Sequence, residues 1–178
     1  RGYVATLGGG GENQEGAAAM AGVAEPGTVH YLTDLVDRLG LDSSSPGSAI
    51  GLAFECYERG LLTKDDTDGL ELKWGNAEAV EKLLEKMVKR EGFGAVLADG
   101  PKRAAERIGG DAPKYAVHMK GQGINIHDWR PFWGQMLAQA ISPGGPSWQG
   151  GSGGNDRSPQ PDLGYPQTAT PFTPEGKP

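Results

Sequence analysis

The segment WGNAEAVEKLLEKMVKREG, residues 74–92, decides the fold class of this chain. Its apolar residues recur every three or four positions, which is typical of a helix with one buried face. Asn76 is a favoured capping residue before the first turn, and Gly92 follows the basic residues that close the last turn. The segment therefore predicts a core helix. Its predicted buried stripe consists of Val80, Leu83, Leu84, Met87 and Val88.

A second helical pattern runs from Pro26 to about Leu39, where Gly40 supplies a stop signal. Asp37 lies in its last turn and Asp42 follows just past the glycine. A helix C-terminus carries a partial negative charge, which disfavours a nearby carboxylate by about 0.3–1 kcal/mol. Two interpretations follow: the acids are solvated surface residues, or a donor-rich ligand lies between them.

The remaining helical signals are shorter. Three serines followed by Pro46 predict a helix entry with serine as N-cap and proline at the first helical position, and Gly60 ends that helix. Residues 95–107 also read as helix, but an internal Gly-Pro pair predicts a kink or two short helices. We expect a mainly α fold with short strands, at most, near Tyr3 and Ile124.

Glycine and proline set the expected organisation, because 30 glycines and 13 prolines among 178 residues are unevenly distributed. Residues 1–25 read as a strand-like start and a glycine-rich loop, and residues 26–113 as a helical domain. Residues 114–141 read as a mixed loop and helix segment, and residues 142–178 as an irregular Gly/Pro-rich segment. That last segment, taken alone, reads as a disordered tail.

Composition excludes several function classes. With 17 basic and 23 acidic residues the net charge is −6, which argues against nucleic-acid binding. No apolar run approaches the roughly 18 residues of a membrane span, and no secretory leader opens the chain. A single cysteine, Cys56, excludes an internal disulfide framework and reads as an inert helical thiol. We expect a cytoplasmic protein without a membrane partner.

Three local patterns do not satisfy known ligand motifs. The glycines at 8–11 lack the Lys-Ser/Thr of a phosphate-binding loop, and the acidic turn 63–69 fails the register of a calcium loop. His118 and the tetrad His-Asp-Trp-Arg at 127–130 match no metal-ligand spacing, so solvated histidines are the alternative to a metal site. The tetrad has the composition of a binding surface.

Several motifs stand in an order that resembles the aldehyde:ferredoxin oxidoreductase family, over most of residues 25–130 and more loosely beyond. The stretch Asp37-Arg38-Leu39-Gly40-Leu41-Asp42 is similar to the family's Asp-x-x-Gly-Leu-Asp pterin-binding signature. The supporting motifs are Tyr57-Glu58-Arg59-Gly60, Trp74-Gly75-Asn76, Arg90-Glu91-Gly92-Phe93-Gly94 with Leu97-Ala98, and Asp128-x-Arg130.

The resemblance implies a tungsten or molybdenum bis-pterin cofactor, with Asp37, Gly40, Leu41 and Asp42 as its binding residues here. A pterin edge carries N–H donors, which paired carboxylates accept, so the resemblance favours the ligand interpretation of these acids. It implies no protein ligand to the metal in this chain, since pterin dithiolenes hold the metal. A [4Fe–4S] cluster is implied for the intact enzyme, with ligands outside this chain.

The resemblance further implies that the chain is a fragment of a catalytic subunit several times longer. The implied reaction oxidises aldehydes to carboxylic acids in an anaerobic metabolism and passes electrons through the cluster to ferredoxin or an electron-transfer subunit. A homo-oligomer is one arrangement consistent with the family. The fold that it implies is the helical middle domain of such an enzyme, with the Gly/Pro-rich segment continuing from it, and no catalytic residue is assigned.

Two positions depart from the aldehyde-oxidising members. Tyr3 is followed by Val4 where those members have glutamate, and Trp148 falls where an ungapped count places their active-site histidine. One alternative is therefore a family member reducing another substrate, like the benzoyl-CoA reductases. A non-catalytic helical interaction module is the other. The resemblance also implies that residues 144–154 fall where the family threads a glycine-rich loop toward its active site.

Overall fold

The computed structural model describes residues 16–42, 44–124, 137 and 140–143. The chain divides into two compact units, residues 1–126 and residues 127–178. In the second unit the backbone is helical at residues 137 and 140–141, where Leu137 and Ile141 are exposed.

The first unit is mainly helical, as the sequence predicts. Its described residues form the helices α1 (Pro26–Arg38), α2 (Ser45–Glu58), α3 (Ala77–Lys89), α4 (Gly92–Leu97) and α5 (Pro101–Ile108). Short 3-10 turns lie before α1, at Ala19–Ala21, and after α5, at Ala112–Lys114. A two-stranded antiparallel hairpin follows, formed by β1 (His118–Met119) and β2 (Gln122–Gly123).

Helix α2 lies at the centre of the unit. Nine of its 14 residues are buried, including five consecutive residues from Pro46 to Ile50. The segment that precedes α1 packs directly on it: a Cβ added at Gly47 would lie 2.3 Å from the carbonyl oxygen of Gly16. A glycine in α2 therefore lets the earlier segment approach at backbone distance, and that segment belongs to the core.

Helix α3 confirms the core helix predicted from residues 74–92, with two corrections. Val88 is 43% exposed, so the buried stripe ends at Met87. Gly92 does not close the helix: Arg90 takes the left-handed backbone at the C-cap, with φ +53°. Because α4 begins only two residues later, Gly92 becomes its first residue instead of a terminator.

The predicted interruption at the Gly-Pro pair is confirmed as a break between two short helices. Gly100 has φ +86° and precedes Pro101, the first residue of α5. Helix α4 packs tightly on α3, since a Cβ added at Gly94 would lie 2.3 Å from the carbonyl carbon of Lys86. The closeness of these two helices thus depends on a glycine.

The hairpin lies next to the predicted strand at Ile124, since β2 ends one residue before it. Lys120 and Gly121 connect its strands with φ of +54° and +95°, the positive values that a two-residue hairpin turn favours. Gly123 approaches α2, where an added Cβ would lie 2.7 Å from the Cβ of Ser48. The strand expected near Tyr3 lies outside the described residues.

None of the described helices has the length and hydropathy that crossing a bilayer requires.

Candidate functional site

The candidate site is the turn that joins α1 to α2, where four of its residues were predicted to bind a cofactor. At the end of α1 the Gly40 N–H donates to the Asp37 carbonyl at 3.1 Å, and the Leu41 N–H donates to the Val36 carbonyl at 3.1 Å. This pair of bonds is a Schellman motif, which requires a left-handed residue after the cap. Gly40 supplies it with φ +68°, as its predicted role demands.

The outer face of this turn is open. A Cβ added at Gly40 would meet no described atom within 4 Å, so the glycine backbone is accessible to an approaching ligand. Asp37 is exposed in the last turn of α1. Within the described part of the chain, its carboxylate takes part in no ion pair, whereas neighbouring Arg38 pairs with Asp34 at 2.7 Å.

Leu41 anchors the turn from the inside. Its side chain is half-buried and packs against the hydrophobic core. The turn is therefore held by a backbone motif on one side and by an apolar contact on the other, which fixes the direction of the residues that remain exposed.

Asp42 caps helix α2, which corrects the prediction of a serine cap. Its Oδ1 accepts hydrogen bonds from the N–H groups of Ser44 at 2.9 Å and Ser45 at 2.7 Å. Ser44 stands at the N-cap position, but its side chain makes no capping bond. A carboxylate two residues upstream reaches the orphan amides of the first turn and replaces the hydroxyl.

The electrostatics of Asp42 agree with this geometry. Partial burial raises the pKa of its carboxyl group, but the hydrogen bonds from Ser45 and Ser44 outweigh that effect, and the pKa is lowered overall. The group is therefore a carboxylate over the whole neutral range.

The chemistry of the turn fits a ligand with N–H donors at its edge. An exposed carboxylate at Asp37, an accessible backbone at Gly40 and an ionised carboxylate at Asp42 provide acceptors on one short stretch. Such acceptors form charge-assisted bonds with amine and ring N–H groups. No group of three or more His, Cys, Asp or Glu side chains suited to a metal occurs among the described residues.

The other family-like motifs that the structure describes lie at helix ends and in contacts between elements. Gly60 ends α2 with the same Schellman pattern as Gly40, because its N–H donates to the Tyr57 carbonyl at 3.0 Å and that of Leu61 to the Cys56 carbonyl at 2.8 Å. The Arg59 guanidinium lies 4.2 Å from the ring centroid of Tyr115. This motif ties the end of α2 to the segment before the hairpin.

The Trp-Gly-Asn motif joins α3 to the segment before α1. The ring of Trp74 lies 5.6 Å from that of Phe54, and the Gly75 N–H donates to the Ala21 carbonyl at 2.8 Å. Asn76 caps α3 as predicted, since its Oδ1 accepts from the Ala79 N–H at 3.2 Å.

Sequence reasoning missed the role of Asp68, which explains the motif around Gly92. Its Oδ2 accepts from the Phe93 N–H at 2.7 Å and from Lys86 Nζ at 2.9 Å. A Cβ added at Gly92 would lie 2.1 Å from this oxygen, so only glycine leaves room for the carboxylate. Asp68 itself has φ +55° beside Gly69, a turn signal that marks the position but not its partner.

The structure describes Cys56 and His118, but not several other residues that the sequence singles out. Cys56 is fully buried, and burial raises the pKa of its thiol, as expected of an inert cysteine. His118 is exposed in β1. The tetrad at 127–130, the glycine-rich stretches 8–11 and 144–154, Val4 and Trp148 lie outside the described residues.

Comparison with known proteins gives one consistent result. Residues 6–178 match the family model described as aldehyde ferredoxin oxidoreductase, domains 2 and 3. An aliphatic sulfonate oxidoreductase, WOR-like subunit, from Pyrococcus furiosus is 48% identical over 113 residues, which cover 61% of this chain and 18% of the relative. A tungsten-containing aldehyde ferredoxin oxidoreductase from Pyrococcus abyssi is 33% identical over 127 residues, covering 70% and 21%.

Among solved structures, the active-site complex BamBC of benzoyl coenzyme A reductase with 1,5-dienoyl-CoA is similar, with a TM-score of 0.60 and 29% identity. The likeness covers 72% of this chain and 20% of that one. The chain thus spans about a fifth of the length of these relatives. On the match of its sequence to the family model over residues 6–178, the chain belongs to the aldehyde ferredoxin oxidoreductase family.

Proposed function

We propose that this chain is the part of a tungsten-dependent oxidoreductase that binds a pterin cofactor through the turn of residues 37–42. The observation that carries the proposal is the exposed Asp37 carboxylate beside the open backbone of Gly40, in a family with tungsten-containing members. In this arrangement the Asp37 carboxylate accepts N–H bonds from the pterin edge, and the absent side chain at position 40 allows close approach.

The proposed reaction of the complete enzyme oxidises an aldehyde and water to a carboxylic acid, two protons and two electrons. The metal and its pterins supply the two-electron chemistry, and the electrons leave through a [4Fe–4S] cluster to ferredoxin or an electron-transfer subunit. The role of this chain is to place the cofactor and fix its hydrogen bonds. Family membership supports an oxidoreductase over a non-catalytic helical module.

A second candidate substrate is an aliphatic sulfonate. The relative named for that substrate is 48% identical to this chain, against 33% for the aldehyde enzyme from Pyrococcus abyssi. The departures at Val4 and Trp148 from the aldehyde-oxidising pattern weaken the aldehyde candidate. Parallel assays of the complete enzyme with aliphatic aldehydes and aliphatic sulfonates, using a dye as electron carrier, would separate the two, and turnover of aldehydes alone would remove the sulfonate candidate.

The cofactor assignment is tested by Asp37→Asn in the complete enzyme. Asparagine keeps one acceptor oxygen but loses the charge, and a hydrogen bond to a charged group is worth about 1.5–3 kcal/mol against about 0.5–1.5 kcal/mol for a neutral one. The difference of about 1–1.5 kcal/mol should lower pterin affinity roughly five- to tenfold. The measurements are tungsten content by mass spectrometry and fluorescence of the released pterin. Asp65→Asn is the matched control, since Asp65 is an exposed acid in the turn before α3. Full tungsten and pterin content in Asp37→Asn would overturn the assignment.

A further inference from the structure

Arg38 has the chemistry to compete with a ligand for the candidate turn. It follows Asp37 directly and is the single basic residue in the stretch 37–42. Its guanidinium carries five N–H donors and no acceptor, and its side chain is 60% exposed. A guanidinium and the donor edge of a pterin therefore require the same acceptor, a carboxylate of this turn.

The structure draws Arg38 toward Asp34 instead. Arg38 Nη2 lies 2.7 Å from Asp34 Oδ2, four residues earlier on α1. Residues at this spacing face each other on a helix, whereas consecutive residues such as Asp37 and Arg38 do not. The Asp34 side chain is only 17% exposed, so this carboxylate lies against the protein surface and holds the guanidinium there.

The electrostatics of Tyr31 agree with this direction. The hydrogen bond to Glu81 raises the pKa of the Tyr31 hydroxyl overall, but the charge of Arg38 acts in the opposite sense and lowers it. Tyr31 lies about two helical turns before Arg38 on α1. The guanidinium is therefore directed back along the helix, away from Gly40.

This direction leaves the Asp37 carboxylate exposed and available. Asp34 and Asp37 are three residues apart, a spacing at which Cβ atoms on a helix lie about 5–6 Å from each other. Nevertheless, no ion pair among the described residues involves Asp37, and Arg38 pairs with Asp34. Without the charge of Asp34, Asp37 would be the remaining carboxylate of α1 that Arg38 could pair with.

We propose that Asp34 is a positioning residue, which holds Arg38 away from Asp37 and so keeps that carboxylate available to the pterin. This inference rests on the proposed function. Asp34 lies outside the stretch 37–42 and acts on the cofactor only through Arg38. Arg38 then becomes a competitor of the cofactor whenever Asp34 cannot pair with it.

The test measures the tungsten and pterin content of the complete enzyme, from cells grown with limiting tungstate so that content follows affinity. Asp34→Asn should lower both contents about two- to fivefold, the range of an exposed ion pair. Asp34→Glu keeps a carboxylate at the same spacing and should keep the parent content. Glu78→Gln is the matched control, since Glu78 pairs with Lys82 at the same spacing on α3, and it should leave both contents unchanged.

Removal of the competitor gives the decisive comparison. Asp34→Asn combined with Arg38→Gln should return to the parent content, because no guanidinium remains to occupy Asp37. The apoenzymes of the single and the double variant both lack the ion pair and should unfold at the same temperature. A difference in their cofactor content therefore reports Arg38 and not the stability of α1.

Two results would overturn the proposal. One is full tungsten and pterin content in Asp34→Asn. The other is a double variant that stays as low as Asp34→Asn, which would mean that Asp34 acts through the helix alone. Failure of the proposed function is seen elsewhere, as full content in Asp37→Asn, whereas loss of cofactor there with full content in Asp34→Asn rejects only the role of Asp34.

Discussion

Replacing Gly94 by alanine should destabilise this chain by about 2 kcal/mol. The added Cβ would lie 2.3 Å from the carbonyl carbon of Lys86, 2.4 Å from its Cβ and 2.6 Å from its carbonyl oxygen. Two of these three atoms belong to the backbone of α3, so they cannot move aside as a flexible side chain would. Overpacking of this kind costs typically 1–3 kcal/mol, and we place this case at the upper end. The higher helix propensity of alanine returns about 1 kcal/mol.

Thermal unfolding followed by circular dichroism measures the effect. For a chain of this size about 2 kcal/mol corresponds to roughly 4–8 °C in unfolding temperature. Gly27→Ala is the matched control: Gly27 also lies in a helix, but the three atoms nearest to its added Cβ belong to the flexible carboxylate of Glu25, the closest at 3.3 Å. That variant should be neutral or slightly stabilised. A Gly94→Ala chain that unfolds at or above the parent temperature would refute the close α3–α4 packing.

Two further variants test single contacts in the first unit. The Phe93 N–H and the Lys86 ammonium lower the pKa of Asp68, so its stabilising effect is present above the unfolded pKa of about 3.9 and is lost as the pH falls through the folded pKa. After allowance for solvent screening, Asp68→Asn should cost about 1 kcal/mol at pH 7 and progressively less as the pH falls below the unfolded pKa of about 3.9. A cost that does not change from pH 7 to the acid end of the titration contradicts this. Asn76→Ala removes the α3 cap, which receives the Ala79 N–H at 3.2 Å, and the bond that Asn76 Nδ2 donates to the Glu71 carbonyl at 2.8 Å, and should lower stability by about 1 kcal/mol or more. Asn76→Ser keeps a capping oxygen and should lose less stability than Asn76→Ala. Equal unfolding temperatures for those two variants would show that the cap is unimportant.

Local signals explain what could be predicted from the sequence. Apolar periodicity placed α1 and α3, and the Gly-Pro pair separated α4 from α5. The same signals misplace details that depend on neighbours in space. Val88 fits the periodic stripe, yet it is 43% exposed, because none of the elements that the structure describes covers that side of α3. Periodicity identifies a face of a helix but not the width of the contact that covers it.

In the candidate site, too, local signals predict the backbone but not the side-chain partners. Gly40 and its left-handed backbone follow from a stop signal at a helix end. The serine cap failed because two kinds of acceptor competed for the same amides, and the carboxylate of Asp42 reached them. Asp68 was missed because its partner Phe93 lies 25 residues away, and no local pattern encodes that separation.

The packing of residues 16–21 on α2 decides where a shortened version of this protein can begin. A shortened version beginning at Pro26 would retain all five α-helices that the structure describes in the first unit, α1 to α5. It would nevertheless uncover the α2 face that now lies against Gly16 and Met20, together with the Gly75 amide that bonds to Ala21. The shortened protein would expose this apolar surface of α2 to solvent, and exposed apolar surface promotes self-association. A soluble domain should therefore begin upstream of Gly16.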